Sequence, residues 1–170
     1  NFARKHQKAE EPRYLYWADK LGLLVWAEMP SGRIFSSALV TSLTEQWLDL
    51  VRRDRGHPSV IGWVPFNESW GVWHIQQRPE QRAFVDGLVA LTKALDSSRP
   101  VIGNDGWEYT SGDLWTLHLY HDDQRSLDER LAALAADPSQ PVTQGQRPRN
   151  GALAGSDPAQ LPMLLTECGG

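Results

Sequence analysis

Cysteine is all but missing from this chain of 170 residues: the single Cys168 can form no intrachain disulfide and supplies no multi-cysteine zinc site. A lone thiol does not identify a compartment. An excess of basic charge is missing too. Lys and Arg number 17 against 21 Asp and Glu, a formal net charge of -4, so no positive field tracks a phosphate backbone and nucleic acid is not an expected partner. Long apolar runs are absent: Leu21 to Ala27, broken by Gly22, is the longest. A membrane helix needs ~20 such residues, so no membrane partner is expected either. Neither a G-x-G-x-x-G nor a G-x-x-x-x-G-K phosphate loop occurs, and no G-x-S-x-G elbow marks a serine hydrolase. The five histidines show no H-x-x-x-H or H-E-x-x-H spacing, so the chain presents no metal ligand set and no cofactor is expected.

What is present suits one compact domain: 41% hydrophobic and 9% aromatic residues, enough for a buried core. Eight of the aromatics are tryptophans. Trp26, Trp63, Trp70, Trp73, Trp107 and Trp115 fall in or near strand-like runs and the loops after them. Their faces suit the apolar C–H surface of a sugar ring, but for any one of them core packing is the simpler reading.

Strand-like runs and helical periodicities alternate. Asn1 to Arg4 reads as the end of a strand, and Pro12 to Leu21 as a short amphipathic helix stopped by Gly22. Leu23 to Ala27 is a buried strand. Ser42 and Glu45 form a capping-box pattern that predicts a helix over about 43 to 53. Val60 to Phe66 is the next strand, followed by a helix face at Phe84, Leu88, Leu91 and Leu95. Val101 to Gly103 and Trp115 to Tyr120 are strands, Ser126 to Glu129 caps a helix, and Met163 to Thr166 is the last strand. Residues 137–160, rich in Pro, Gly, Gln and Ser, predict a long loop or insertion. Six parallel strands separated by four helices predict an α/β fold, and the missing phosphate loop favours a (β/α)8 TIM barrel over a doubly wound sheet. A full barrel takes ~250 residues, so the expectation is an incomplete barrel, one partial catalytic domain lacking a strand at each end.

Polar and ionisable residues collect where the strands stop: Arg4 and His6, Glu28, Asn67 and Glu68, Asn104 and Asp105, Tyr120 and His121, and Glu167. In a parallel barrel these ends open on one face, where such folds place their active sites. Glu68 and Glu167 each follow an apolar strand, and closure would bring them to opposite sides of one mouth.

The stretch HPSVIGWVPFNESWG at 57–71, the opening RKHQKAEEPRYLYWADKLGLLVWAEMP at 4–30 and the terminal LLTECGG resemble the catalytic barrel of glycoside hydrolase family 2, which holds β-galactosidases, β-glucuronidases and β-mannosidases. The resemblance covers the family's second to seventh barrel strands. It implies a retaining exo-β-glycosidase acting through a covalent glycosyl-enzyme, with carbohydrate as partner and, in the whole protein, flanking β-sandwich domains and possible oligomers. By motif match Glu68 is the acid/base and Glu167 the nucleophile. Retaining hydrolysis needs the two carboxyl groups ~5–5.5 Å apart, and repulsion between them helps keep one proton on the pair. The same match makes Asn67 the contact to the sugar 2-hydroxyl, and Tyr120 and Arg4 the groups that bind the nucleophile. His6, Trp107 and His121 complete the substrate-binding or supporting set. The chain departs from the family at His6, which sits in Arg-Lys-His rather than Arg-x-Ser-His, and at Cys168, where an aromatic is common.

Structural readings stand beside these. Glu68 as a solvated loop carboxylate, Glu28 and Asp105 as satisfied rim groups rather than contacts to sugar hydroxyls, His57 as a turn residue and His74 as a loop residue are each self-consistent. His118 shares the face of Tyr120 by strand alternation and reads as either a packed or a site histidine. At the level of the whole chain, the alternative is a catalytically silent sugar-binding fragment. Sequence also leaves the sugar and its linkage open.

Overall fold

The computed structural model describes residues 1–143 and 148–169. Its first helix, α1 (Pro12–Leu21), starts on a proline that has no N–H to lose and ends on Gly22, whose φ of 70° is the left-handed turn that a side chain would disfavour. Helix α2 (Ser37–Asp54) begins earlier than the capping-box pattern predicts. Ser36 is the cap, its hydroxyl accepting from the Leu39 N–H at 3.1 Å, while Ser42 and Glu45 lie within the helix. The Ser42 hydroxyl instead accepts from Gln46 one turn on, at 2.7 Å. Helix α3 (Pro79–Leu95) buries Phe84, Val85, Leu88, Val89 and Thr92 on one face. Helix α4 (Gln124–Ala136) is capped by Asp123, which accepts from the Ser126 N–H at 2.9 Å, so Ser126 is the recipient of the cap rather than its source.

The strands are β1 (Phe2–Arg4), β2 (Leu24–Glu28), β3 (Val60–Val64), β4 (Phe66–Asn67), β5 (Asn104–Asp105), β6 (Trp115–Leu119) and β7 (Met163–Cys168). Pro65 splits the run predicted over 60–66 into β3 and β4, because a proline gives no N–H to a ladder. All assigned strand pairs are parallel: β1 with β2, β2 with β3, β4 with β5 and β6 with β7. Backbone bonds join these pieces, from Trp63 N–H to Pro100 O at 3.0 Å, Ile102 N–H to Trp63 O at 2.9 Å, and His118 N–H to Gly106 O at 3.0 Å. The result is an arc of six strand positions in chain order. Among the described residues no strand pair closes β7 back onto β1.

Helices cover the outside of the arc, and the main core lies between them and the strands. Trp47 of α2 and Trp63 of β3 meet edge to face at 6.0 Å, and each indole N–H finds an oxygen: Thr92 Oγ1 at 2.7 Å and Asp96 Oδ2 at 3.0 Å. Truncating either to alanine removes about 3–5 kcal/mol by the usual cost of emptying an aromatic site. Of the segment predicted as a loop over 137–160, residues 144–147 lie outside the described residues. Its neighbours dock on the body: Glu108 N–H donates to Asn150 O and Leu153 N–H to Tyr109 O, and Gly151, Ala152 and Leu153 are buried. Among the described residues no helix is long and apolar enough to cross a membrane.

Candidate active site

The C-terminal ends of the strands converge as parallel pairing requires, and Arg4 stands at the centre. Its Nη1 donates to Glu167 Oε1, its Nη2 to Asn67 Oδ1 at 2.6 Å, and its Nε lies 2.9 Å from Glu28 and 2.7 Å from Asp105. One N–H cannot point along two lines at once, so these last two contacts are ion pairs without hydrogen-bond alignment. Burial disfavours the guanidinium charge, but Asp105, Glu28 and Glu167 outweigh it and raise the Arg4 pKa.

Glu167 is placed by a bulge. The register runs Leu117↔Leu165 and then His118↔Glu167, leaving Thr166 as the extra residue on β7. Thr166 can therefore donate to Asp105 Oδ1 at 2.8 Å while its neighbour Glu167 turns to Arg4 and Tyr120. Tyr120 Oη donates to Glu167 Oε2. Burial pushes the Glu167 carboxyl up, yet the hydrogen bonds from Tyr120 and Arg4, with the nearby His118 charge, carry it below the ordinary carboxylate range. The same contact raises the Tyr120 phenol, which burial also raises.

Glu68 follows β4 in the left-handed region, with φ of 51°, and its N–H donates to Asp105 O at 2.9 Å. Its Oε1 sits 2.8 Å from His118 Nδ1. One oxygen of Glu68, one of Glu167 and one ring nitrogen of His118 all lie within 4.8 Å of one another. His118, left open by the sequence, is thus a site residue. It is buried between acids, its Nε2 3.4 Å from Asp105 and 3.6 Å from Glu167. Burial lowers its pKa, but Asp105 and Glu68 reverse that and raise it to about 9. An imidazolium has no lone pair to give, so a metal bound by Glu68, His118 and Glu167 would first have to displace a proton from the ring.

Glu28 and Asp105 are wholly buried beneath Arg4 and are not rim groups. Asp105 is pushed up by burial and brought below its ordinary value by His118 and Arg4. Glu28 is pushed up by burial to about 7, only partly offset by Arg4 and the Gln7 N–H at 2.8 Å. Asn67 is buried, its Oδ1 engaged by Arg4 and its Nδ2 without a partner among the described residues.

The remaining predicted residues are less central. His6 is exposed, with Nδ1 3.5 Å from Glu167 and 3.6 Å from Glu28. Trp107 packs its ring against His118, centroids 5.9 Å apart. His121 is partly buried just past β6, ahead of the Asp123 cap of α4. His57 pairs with Asp19 at 2.6 Å in its turn. A surface cleft of about 380 Å³ lies elsewhere, lined in part by Trp73, Gln76 and Arg149.

Residues 1–149 match the model for glycosyl hydrolases family 2, TIM barrel domain, and the chain belongs to that family. It is 36% identical over 111 residues to the beta-glucuronidase of Canis lupus familiaris, a match covering 61% of this chain and 16% of that protein. It is 28% identical over 104 residues to the beta-galactosidase of Thermoanaerobacterium thermosulfurigenes, covering 61% of this chain and 13% of that one. Among solved structures, Bacteroides uniformis beta-glucuronidase 2 covalently bound to cyclophellitol-6-carboxylate aziridine superposes with a TM-score of 0.67 over 81% of this chain and 19% of its own, at 21% identity, a likeness of fold. The chain thus spans about a sixth of the length of the curated relatives.

Proposed function

We propose that this chain supplies the paired carboxyl groups of a retaining exo-β-glycosidase, with Glu68 as general acid/base and Glu167 as nucleophile. The observation that carries the reading is the approach of their oxygens to within 4.8 Å. Retaining enzymes hold their carboxyls ~5–5.5 Å apart and inverting ones ~6.5–9.5 Å, the larger gap making room for a water.

In the first step Glu167 attacks the anomeric carbon as the glycosidic C–O bond breaks and Glu68 passes its proton to the departing oxygen. In the second, Glu68 takes a proton from water, whose oxygen attacks the anomeric carbon and releases Glu167. Tyr120 and Arg4 keep Glu167 ionised for attack. His118 fixes the Glu68 carboxyl, and the free Asn67 amide N–H is positioned to donate to the sugar 2-hydroxyl, a bond that tightens as positive charge builds on the ring. The family relatives are named for β-glucuronides and β-galactosides, so the substrate proposed is a terminal β-linked hexose or hexuronic acid.

A panel of aryl β-glycosides assayed on the intact protein tests this. Turnover should vanish in Glu167→Ala, and a fluorosugar glycoside with a good leaving group should leave its glycosyl mass on the peptide containing Glu167. Full activity in Glu167→Ala sinks the assignment, and sugar binding without turnover in the native protein would point to a binding role instead.

A further inference from the structure

Behind Glu68 lies a second buried carboxyl, on Glu108, outside the cluster around Arg4. Glu68 and Ser69 are consecutive non-glycine residues in the left-handed region, with φ of 51° and 57°. Side chains disfavour that conformation, so the turn persists only if its surroundings fix it. Ser69 is held on every polar atom of its N–H and side chain. Its N–H donates to Asn104 Oδ1 at 2.9 Å, its hydroxyl accepts from Asn104 Nδ2 at 3.0 Å, and that hydroxyl donates to Glu108 Oε2.

Glu108 is itself fully buried and left-handed, with φ of 52°. Arg149 Nη1 reaches both of its oxygens, at 3.1 and 3.0 Å, and Gln76 Nε2 donates to Oε1 at 2.7 Å. Arg149 also donates to Trp73 O at 3.0 Å and lies over that ring. The anchor therefore joins the chain after Glu68 at Ser69, Trp73 and Gln76 to the segment around residue 149. None of this network touches Glu167.

We propose that Glu108 is a positioning residue for the acid/base: through Ser69 it fixes the left-handed turn that aims the Glu68 carboxyl, without contacting substrate. The inference rests on the glycosidase reading above. It predicts a defect confined to proton delivery. In the intact protein, Glu108→Gln should lower kcat/KM for a phenyl β-glycoside about tenfold or more, since general acid catalysis by a placed group contributes ~10²–10⁴-fold. A dinitrophenyl glycoside of the same sugar leaves without a proton and should lose less than about threefold. Ser69→Ala, which removes only the hydroxyl link, should bias the two substrates in the same direction and decides the matter should Glu108→Gln not fold. A purely structural role lowers both substrates by one factor, so an unchanged ratio in the folded variants overturns the inference. Should the native protein cleave neither glycoside, the glycosidase reading itself fails, a result separate from the ratio test.

Discussion

The phenol of Tyr120 offers a quantitative test of how Glu167 is kept ionised. Phenylalanine at this position removes one donor and leaves the ring, while Arg4 still binds the other carboxylate oxygen. A hydrogen bond to a charged group is worth about 1.5–3 kcal/mol. Tyr120 is 56% exposed, so water replaces part of what is lost and the low end applies. About 1.5 kcal/mol corresponds to roughly one pKa unit, or about tenfold in rate. The sign follows from the direction of the shift. In its proposed role Glu167 attacks only as the anion, and its native pKa lies below the ordinary value, so activity should persist as pH falls until that lowered pKa is reached. In Tyr120→Phe the pKa rises, and activity is lost at higher pH. The expected result is an acid limb of kcat/KM displaced upward by about one unit, with about a tenfold loss near it. The assay is kcat/KM against pH in the intact protein, on an aryl β-glycoside with a good leaving group so that nucleophilic attack governs. An acid limb that does not move, with undiminished kcat/KM, would refute the claim that Tyr120 holds the charge on Glu167.

Two further outcomes follow from the same geometry. Gly106 has φ of 103°, and a Cβ there would come within 2.5 Å of His118 Nδ1, so Gly106→Ala should push the imidazole off Glu68. A misplacement of ~1 Å in such a site costs about 100-fold in rate, and the strained backbone about 1–3 kcal/mol; native kcat/KM and an unchanged melting temperature would contradict it. His118, with its pKa raised to about 9 by buried acids, contributes stability that is complete below its unfolded pKa near 6.5 and lost as pH rises through 9. That is at most about 3 kcal/mol, and His118→Gln, which cannot titrate, should flatten the alkaline fall in melting temperature; a native protein equally stable across that range would exclude a charged His118.

Much of the arc is legible in the sequence because its signals are local. Parallel strands buried on both faces read as apolar runs, and Gly22 and Pro12 mark the ends of α1 by backbone chemistry alone. Helix starts were less legible: Ser42-x-x-Glu45 matches a capping pattern, but only tertiary packing decides whether the preceding turn is also helical, and Ser36 wins. Strand ends and a family resemblance point to Glu68, Glu167, Arg4, Asn67 and Tyr120, which the fold brings into one cluster. For Glu28 and Asp105 the sequence leaves sugar contact and rim position open and hides their burial, because it carries the residue type but not the depth at which Arg4 covers it. Glu108, Ser69 and Arg149 carry no signal, since their partners are up to 76 residues apart and no spacing rule links them.

The hydrogen bond from Arg4 to Glu167 spans 163 positions of the chain. Contacts between such remote segments form late, since the entropy of closing so large a loop must be overcome first. The cluster around Arg4 is therefore expected to close late in folding. An intermediate that had already gathered its helices on the inner strands would still lack the Arg4–Glu167 contact, which can form only when β7 arrives.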